Sequence, residues 1–245
     1  MFFKNCLNLM GIAFLVAVIF LRSAFAGEFI EKNWKHKPIP QSQSKQWEAT
    51  NQSEKEWRVF KVNNQLFFDK NKRKKNSKER VTQINVNDGV LYGVDAGEWG
   101  GKLYWQSNSG QEKYDIATGN FKQFIKDNDD VYILEGLAHL SSSTGKIWRI
   151  SAKDKWTAEE YLDLEDAPYA AVVDNSGNAY VVTSQKLLKI SLKNKVVSTL
   201  YSDMFWWGMY SNSIEMMNDA TLVIGMRGGI VKVSLKKNEI VWLTK

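Results

Sequence analysis

The chain has 245 residues, with 33 Lys and Arg against 27 Asp and Glu, two histidines and one cysteine. An excess of six positive charges is too mild for a nucleic-acid binder, and two histidines with one cysteine exclude a multi-histidine or thiolate metal centre. No disulfide can form within the chain, so stability has to come from an apolar core.

The N-terminus reads as an export signal. Lys4 precedes an apolar run from Leu9 to Leu21 of 13 residues, and Ala24-Phe25-Ala26 supplies a small-x-small cleavage site. A membrane-spanning helix needs roughly 20 such residues, so residues 1–26 are expected to be removed, and residues 27–245 are expected to act as one domain in the periplasm or outside the cell. Cys6 lies upstream of the apolar run and leaves with the signal, and the 219 residues that remain carry 31 basic and 27 acidic side chains.

One short pattern recurs along the remainder: an apolar residue, usually a basic one, an apolar one, then Ser or Asn. Copies end at Asn63, Ser107, Ser151, Ser191 and Ser234, with steps of 44, 44, 40 and 43 residues. That period, filled with short strands, marks a propeller blade. A Ser or Asn at this point suits the tight turn that follows through a local side-chain bond to the backbone. The fold class predicted is all-β: a β-propeller of five four-stranded blades.

In chain order, residues 27–56 hold Pro38 and Pro40 and little alternation, so an irregular N-terminal arm is expected there. The second unit predicts strands at 81–87, 90–94, 102–105 and 113–116, with Asp88-Gly89 as its first turn. The fourth predicts 170–174, 179–183, 187–191 and 196–200. The fifth begins at Ser213 and continues through 221–225, 230–234 and 239–243. The first and third are less regular.

The stretches from Asp174 to Thr183 and from Ile224 to Val233 are similar to the strand-turn-strand pieces of NHL-like and regulator-propeller repeats. The resemblance implies a fold and names no ligand.

Propeller geometry puts loops between second and third strands on the same face as loops between blades. Residues 95–101, 141–144, 183–185 and 226–229 are assigned to the first kind, and 71–80, 126–130, 163–169 and 202–212 to the second. Their unusual residues point to a binding surface. Asp95 and Glu98 flank a glycine-rich turn as polar contacts, with Trp99 as an aromatic anchor. Trp206, Trp207 and Tyr210 sit in a strongly aromatic connection, and Arg227 stands in the last such loop. Lys70 to Arg80 carries seven basic residues against one acid, which suits an acidic partner or the anionic envelope surface. The acidic runs 127–130 and 163–166 lack the spacing of an EF-hand, so no metal is expected.

No nucleophile-elbow pattern surrounds a serine, and His139 is the one histidine available to a triad. The reading is therefore a non-enzymatic protein with no cofactor that binds a protein partner, in one form an inhibitor or immunity-type protein. The alternatives are a carbohydrate- or small-ligand-binding propeller and a two-carboxylate glycoside hydrolase using Asp95, Glu98 and Asp174.

Overall fold

A computed structural model describes residues 30, 32–72 and 79–245. The expected signal sequence and cleavage site lie outside the described residues, as do residues 73–78 of the basic loop. No described helix is long and apolar enough to cross a membrane.

The chain is a β-propeller built of consecutive antiparallel meanders. The arm contributes β1 (Lys35–Lys37) and helix α1 (Lys45–Asn51), and a hairpin follows as β2 (Lys55–Val62) and β3 (Gln65–Lys72). The second blade is β4 (Arg80–Val86), β5 (Gly89–Asp95), β6 (Lys102–Ser107) and β7 (Lys113–Thr118). The third is β8 (Phe121–Asp127), β9 (Asp130–His139), β10 (Ser142–Ala152) and β11 (Trp156–Asp163). The fourth is β12 (Pro168–Val173), β13 (Asn178–Thr183), β14 (Leu187–Ser191) and β15 (Val196–Tyr201), and the fifth is β16 (Ser213–Asn218), β17 (Thr221–Met226), β18 (Gly229–Ser234) and β19 (Glu239–Thr244).

Among the described residues the first blade is the hairpin β2–β3 alone. It packs on β16, β17 and β18 of the last blade. Asn63 and Asn64 both take positive φ, 49° and 60°, as a two-residue turn between right-twisted strands requires. The innermost strands β4, β8, β12 and β16 pack in succession. Val81, Gln83 and Asn85 of β4, where a full first blade would lie, are exposed.

The arm is more ordered than its prolines suggest. β1 pairs antiparallel with β19, Lys35 opposite Thr244 and Lys37 opposite Trp242, and so adds a fifth strand to the last blade. Pro38 follows at once, where its missing N–H ends the pairing. Ile30 and Trp34 are buried with Trp57, Val59, Val223 and Leu243, sealing the arm to both the hairpin and the last blade.

Apolar clusters fill the spaces between blades. One joins the fourth and fifth blades around Trp206, Ile224 and Trp242, another the third and fourth around Leu134, Ile147 and Val181, and a third the second and third around Leu91, Leu103 and Ile133. Outer strand β15 leaves Val196 to Thr199 exposed, whereas second strands β13 and β17 are buried nearly throughout.

Two predicted details change. Residues 126–130 are the closed end of the β8–β9 hairpin, with Asn128-Asp129 as its turn and Asn128 at φ 53°, rather than a blade junction. The junction is the short Gly119-Asn120 link, so Asp127 and Asp130 sit at the opposite end from Trp99. The first turn of the second blade is Asn87-Asp88, and Gly89 opens β5. A glycine is needed there because a Cβ would lie 2.1 Å from the Gln106 carbonyl oxygen.

The repeated hydroxyl does what the turn requires in two copies. Ser107 Oγ accepts from the Glu112 N–H at 3.1 Å, and Ser234 Oγ from the Lys237 N–H at 3.3 Å.

Candidate functional site

The loop after β5 is a one-turn 3-10 segment, Gly97–Trp99. Gly97 at φ 61° and Gly100 at φ 84° reverse the chain, and a Cβ at Gly101 would lie 2.1 Å from the Val94 carbonyl oxygen. Asp95 is buried beneath the loop, where its Oδ1 accepts from the Gly97 N–H at 3.0 Å and its Oδ2 from Lys122 Nζ at 2.7 Å. Asp95 therefore shapes the loop and is not displayed on it.

Burial pulls the Lys122 ammonium below the usual lysine range, and the Asp95 carboxylate opposes that shift. Glu98 faces outward, with Oε2 3.5 Å from His139 Nε2 at the end of β9. This contact links the second-to-third-strand loops of neighbouring blades. Beyond it stand the two most exposed large apolar side chains among the described residues, Trp99 at 80% and Leu140 at 93%.

Between these loops and the innermost strands lies an open basin of about 520 Å³, which Arg80, Asp95, Glu98, Trp99, Lys122 and His139 line together with Tyr169 and Tyr210. Burial, then the neighbouring Tyr210, push the Tyr169 phenol up to about 12, so at neutral pH it is an O–H donor. Its ring lies 6.0 Å from that of Tyr210, and the Arg227 guanidinium carbon sits 3.9 Å over the other ring.

Of the seven predicted contacts, Asp95, Glu98, Trp99 and Tyr210 line the basin, Arg227 lies against Tyr210 from outside it, and Trp206 and Trp207 stand apart. Trp206 is fully buried, its Nε1 donating to the Thr183 carbonyl at 3.2 Å, and is a core residue rather than a contact. Arg227 is buried as well and donates to the Asn51 side chain at 3.2 Å and the Gly208 carbonyl at 3.3 Å, locking α1 to the aromatic connection. Trp207 is 40% exposed but stacked on Trp47 of α1. Asp174 lies at the β12–β13 turn on the opposite end of the propeller. There Oδ1 accepts from the Ser176 and Asn178 N–H groups, so it cannot meet Asp95 and Glu98 across an active site.

Four basin residues escaped the sequence reading as site residues: Arg80, Lys122, Tyr169 and, as a partner of Glu98, His139. Arg80, Lys122 and Tyr169 each stand at the start of an innermost strand, β4, β8 and β12, and line the basin from there. Placing the blade junction at 126–130 concealed β8 and with it Lys122.

The acidic run 163–166 also has a structural role. Asp166 is buried at the junction of the third and fourth blades and accepts from Ser143 Oγ, from Ser184 Oγ and Thr183 Oγ1 at 2.5 Å each, and from the Gln185 N–H at 3.0 Å. In the other run, Asp130 accepts from Arg149 at 2.7 Å. No group of three or more metal-ligating side chains occurs among the described residues.

No family model and no curated protein matches the chain. Among solved structures it is similar to PorZ of Porphyromonas gingivalis, at 10% identity and a TM-score of 0.44 over 74% of this chain and 30% of that one. Streptogramin B lyase matches at 13% identity and 0.41 over 66% and 57%, and the extracellular domain of BT4673 from B. thetaiotaomicron at 11% and 0.46 over 85% and 29%. The chain thus spans between 29% and 57% of the length of these proteins. Identities this low carry no function, and with TM-scores below 0.5 the fold rests on the strand pairing described above.

Proposed function

We propose that the protein is a non-enzymatic binding protein, exported to the periplasm or beyond, that holds a protein partner on the face carrying Trp99. The observation behind this reading is the exposure of Trp99 at 80% and Leu140 at 93% on corresponding loops of adjacent blades, next to Glu98 and His139, which meet at 3.5 Å. An exposed indole on a fixed loop gives up little side-chain entropy on binding and buries a large area, which suits a hot spot. Around it, the Glu98, His139, Arg80 and Tyr210 side chains supply a polar rim. In its concrete form the protein caps and inhibits an exported enzyme, an immunity-type role.

The test immobilises residues 27–245 and compares proteins retained from the native envelope extract by the unaltered chain and by Trp99→Ala/Leu140→Ser. A stoichiometric partner held only by the unaltered chain supports the reading, and inhibition of that partner's activity by the free protein supports the immunity-type form. Equal retention by both proteins places binding elsewhere.

A further inference from the structure

The opposite end of the propeller holds a second recess. It is a cleft of about 330 Å³ between the second and third blades, formed where the β10–β11 turn lies against the β4–β5 turn and the start of β7. That volume is at the small end of ligand pockets, which run roughly 300–1,000 Å³.

Its walls are aromatic and fixed. Asp88 Oδ1 accepts from two indoles at once, Trp156 Nε1 at 2.9 Å and Trp105 Nε1 at 3.3 Å. Tyr114 Oη accepts from the Trp156 N–H at 2.7 Å, and its ring lies 5.2 Å from that of Trp105. Both indole N–H groups are thereby taken up inside the wall, and Trp156 and Tyr114 are left half-exposed as flat apolar surfaces. Because these bonds join two blades, the platform is preorganised before any ligand arrives.

The rim selects the chemistry. Three carboxylates, Asp88, Glu112 and Asp154, stand with two ammonium groups, Lys153 and Lys155, and Lys155 Nζ already lies 5.6 Å from the Tyr114 ring centre. A cationic ligand meets two lysines there and an anionic one meets three carboxylates. A neutral ligand bearing many hydroxyls meets neither penalty, since each hydroxyl can donate to a carboxylate and accept from an ammonium. The apolar face of a pyranose ring matches the aromatic platform.

We propose that this cleft is a saccharide-binding site for one or two rings of a neutral glycan, separate from the partner face and independent of it. The Trp156 ring stacks on the sugar, and Asp88, Glu112 and Lys153 read its hydroxyls.

The test titrates residues 27–245 with neutral cello-, xylo-, malto- and chito-oligosaccharides, read by tryptophan emission and calorimetry. At least one series is expected to bind, with Trp156→Ala weakening it about tenfold or more and Asp88→Asn about threefold. Trp99→Ala, on the far face, leaves it unchanged. Trp156→Phe, which keeps an aromatic platform and so the fold, loses less than Trp156→Ala, and Lys153→Ala provides a readout on an exposed side chain. The proposal falls if no series binds below about 10 mM, if Trp156→Ala and Lys153→Ala bind as the unaltered protein does, or if tetramethylammonium occupies the cleft in place of sugar.

Discussion

Trp47 and Trp207, 160 residues apart in the chain, stack with ring centres 4.9 Å apart and planes inclined by 30°. Trp47 also donates from Nε1 to the Phe205 carbonyl at 2.6 Å, and Trp207 from its own Nε1 to Ser42 Oγ at 3.0 Å. The arm therefore fastens the connection between the fourth and fifth blades from outside. Trp47→Ala removes a buried ring and leaves that carbonyl without its donor, and it is expected to cost about 3–5 kcal/mol. A lowered urea midpoint with an unchanged slope checks this, and an unaltered midpoint shows that the arm is dispensable.

Asp166 gives stability a definite pH dependence. Burial pushes its carboxyl up, but the donations from Ser143, Ser184, Thr183 and the Gln185 N–H outweigh it and hold the group below the ordinary carboxylate range. A depressed folded value stabilises fully above the unfolded one, about 3.9, and that contribution is lost as pH falls through it toward the folded value. Asp166→Asn is expected to cost about 3 kcal/mol at pH 7 through its charge-assisted bonds. Its disadvantage should narrow between pH 5 and pH 3 in urea titrations, and a constant gap across that range refutes the assignment.

The strands of the second, fourth and fifth blades were legible to within a few residues because alternation and turn chemistry act over four or five positions. The third blade was not, since β9 and β10 are long and the acidic turn at 126–130 has the composition of a surface loop. Neighbouring tryptophans show a second limit. Trp206 and Trp207 are equivalent in local sequence, yet Trp206 enters the cluster between the fourth and fifth blades and Trp207 is left half-exposed against Trp47 of α1, partners that no local pattern links to them. Likewise nothing in the sequence brings Asp88 to Trp156, 68 positions away.

The buried pair Asp95–Lys122 makes the loop below Trp99 sensitive to unbalanced charge. Lys122→Met strands a buried carboxylate and is expected to destabilise by about 3 kcal/mol, more than Asp95→Asn, whose amide oxygen still accepts from the Gly97 N–H. Combining the two should recover part of the loss, because neither charge is then left alone. Chemical denaturation of the four proteins in a double-mutant cycle gives the coupling. Additive losses show that the two residues act separately.

Gly97 and Gly100 flank the indole of Trp99 and differ in the backbone they require. Gly97 lies at φ 61° with open space around it, a conformation asparagine tolerates, whereas Gly100 at φ 84° and ψ −154° falls where only glycine is at ease. Gly97→Asn is therefore expected to change stability by less than about 0.5 kcal/mol, and Gly100→Ala to cost about 1–3 kcal/mol. Trp99→Ala and Leu140→Ser, which remove exposed side chains, should likewise stay within about 0.5 kcal/mol of the unaltered protein. Thermal unfolding of the four variants separates the roles: a loop shaped to display Trp99 is sensitive at Gly100 and insensitive at Trp99 itself. If Trp99→Ala unfolds as readily as Gly100→Ala, the indole supports the loop, and the exposed anchor on which the partner-binding reading depends is lost.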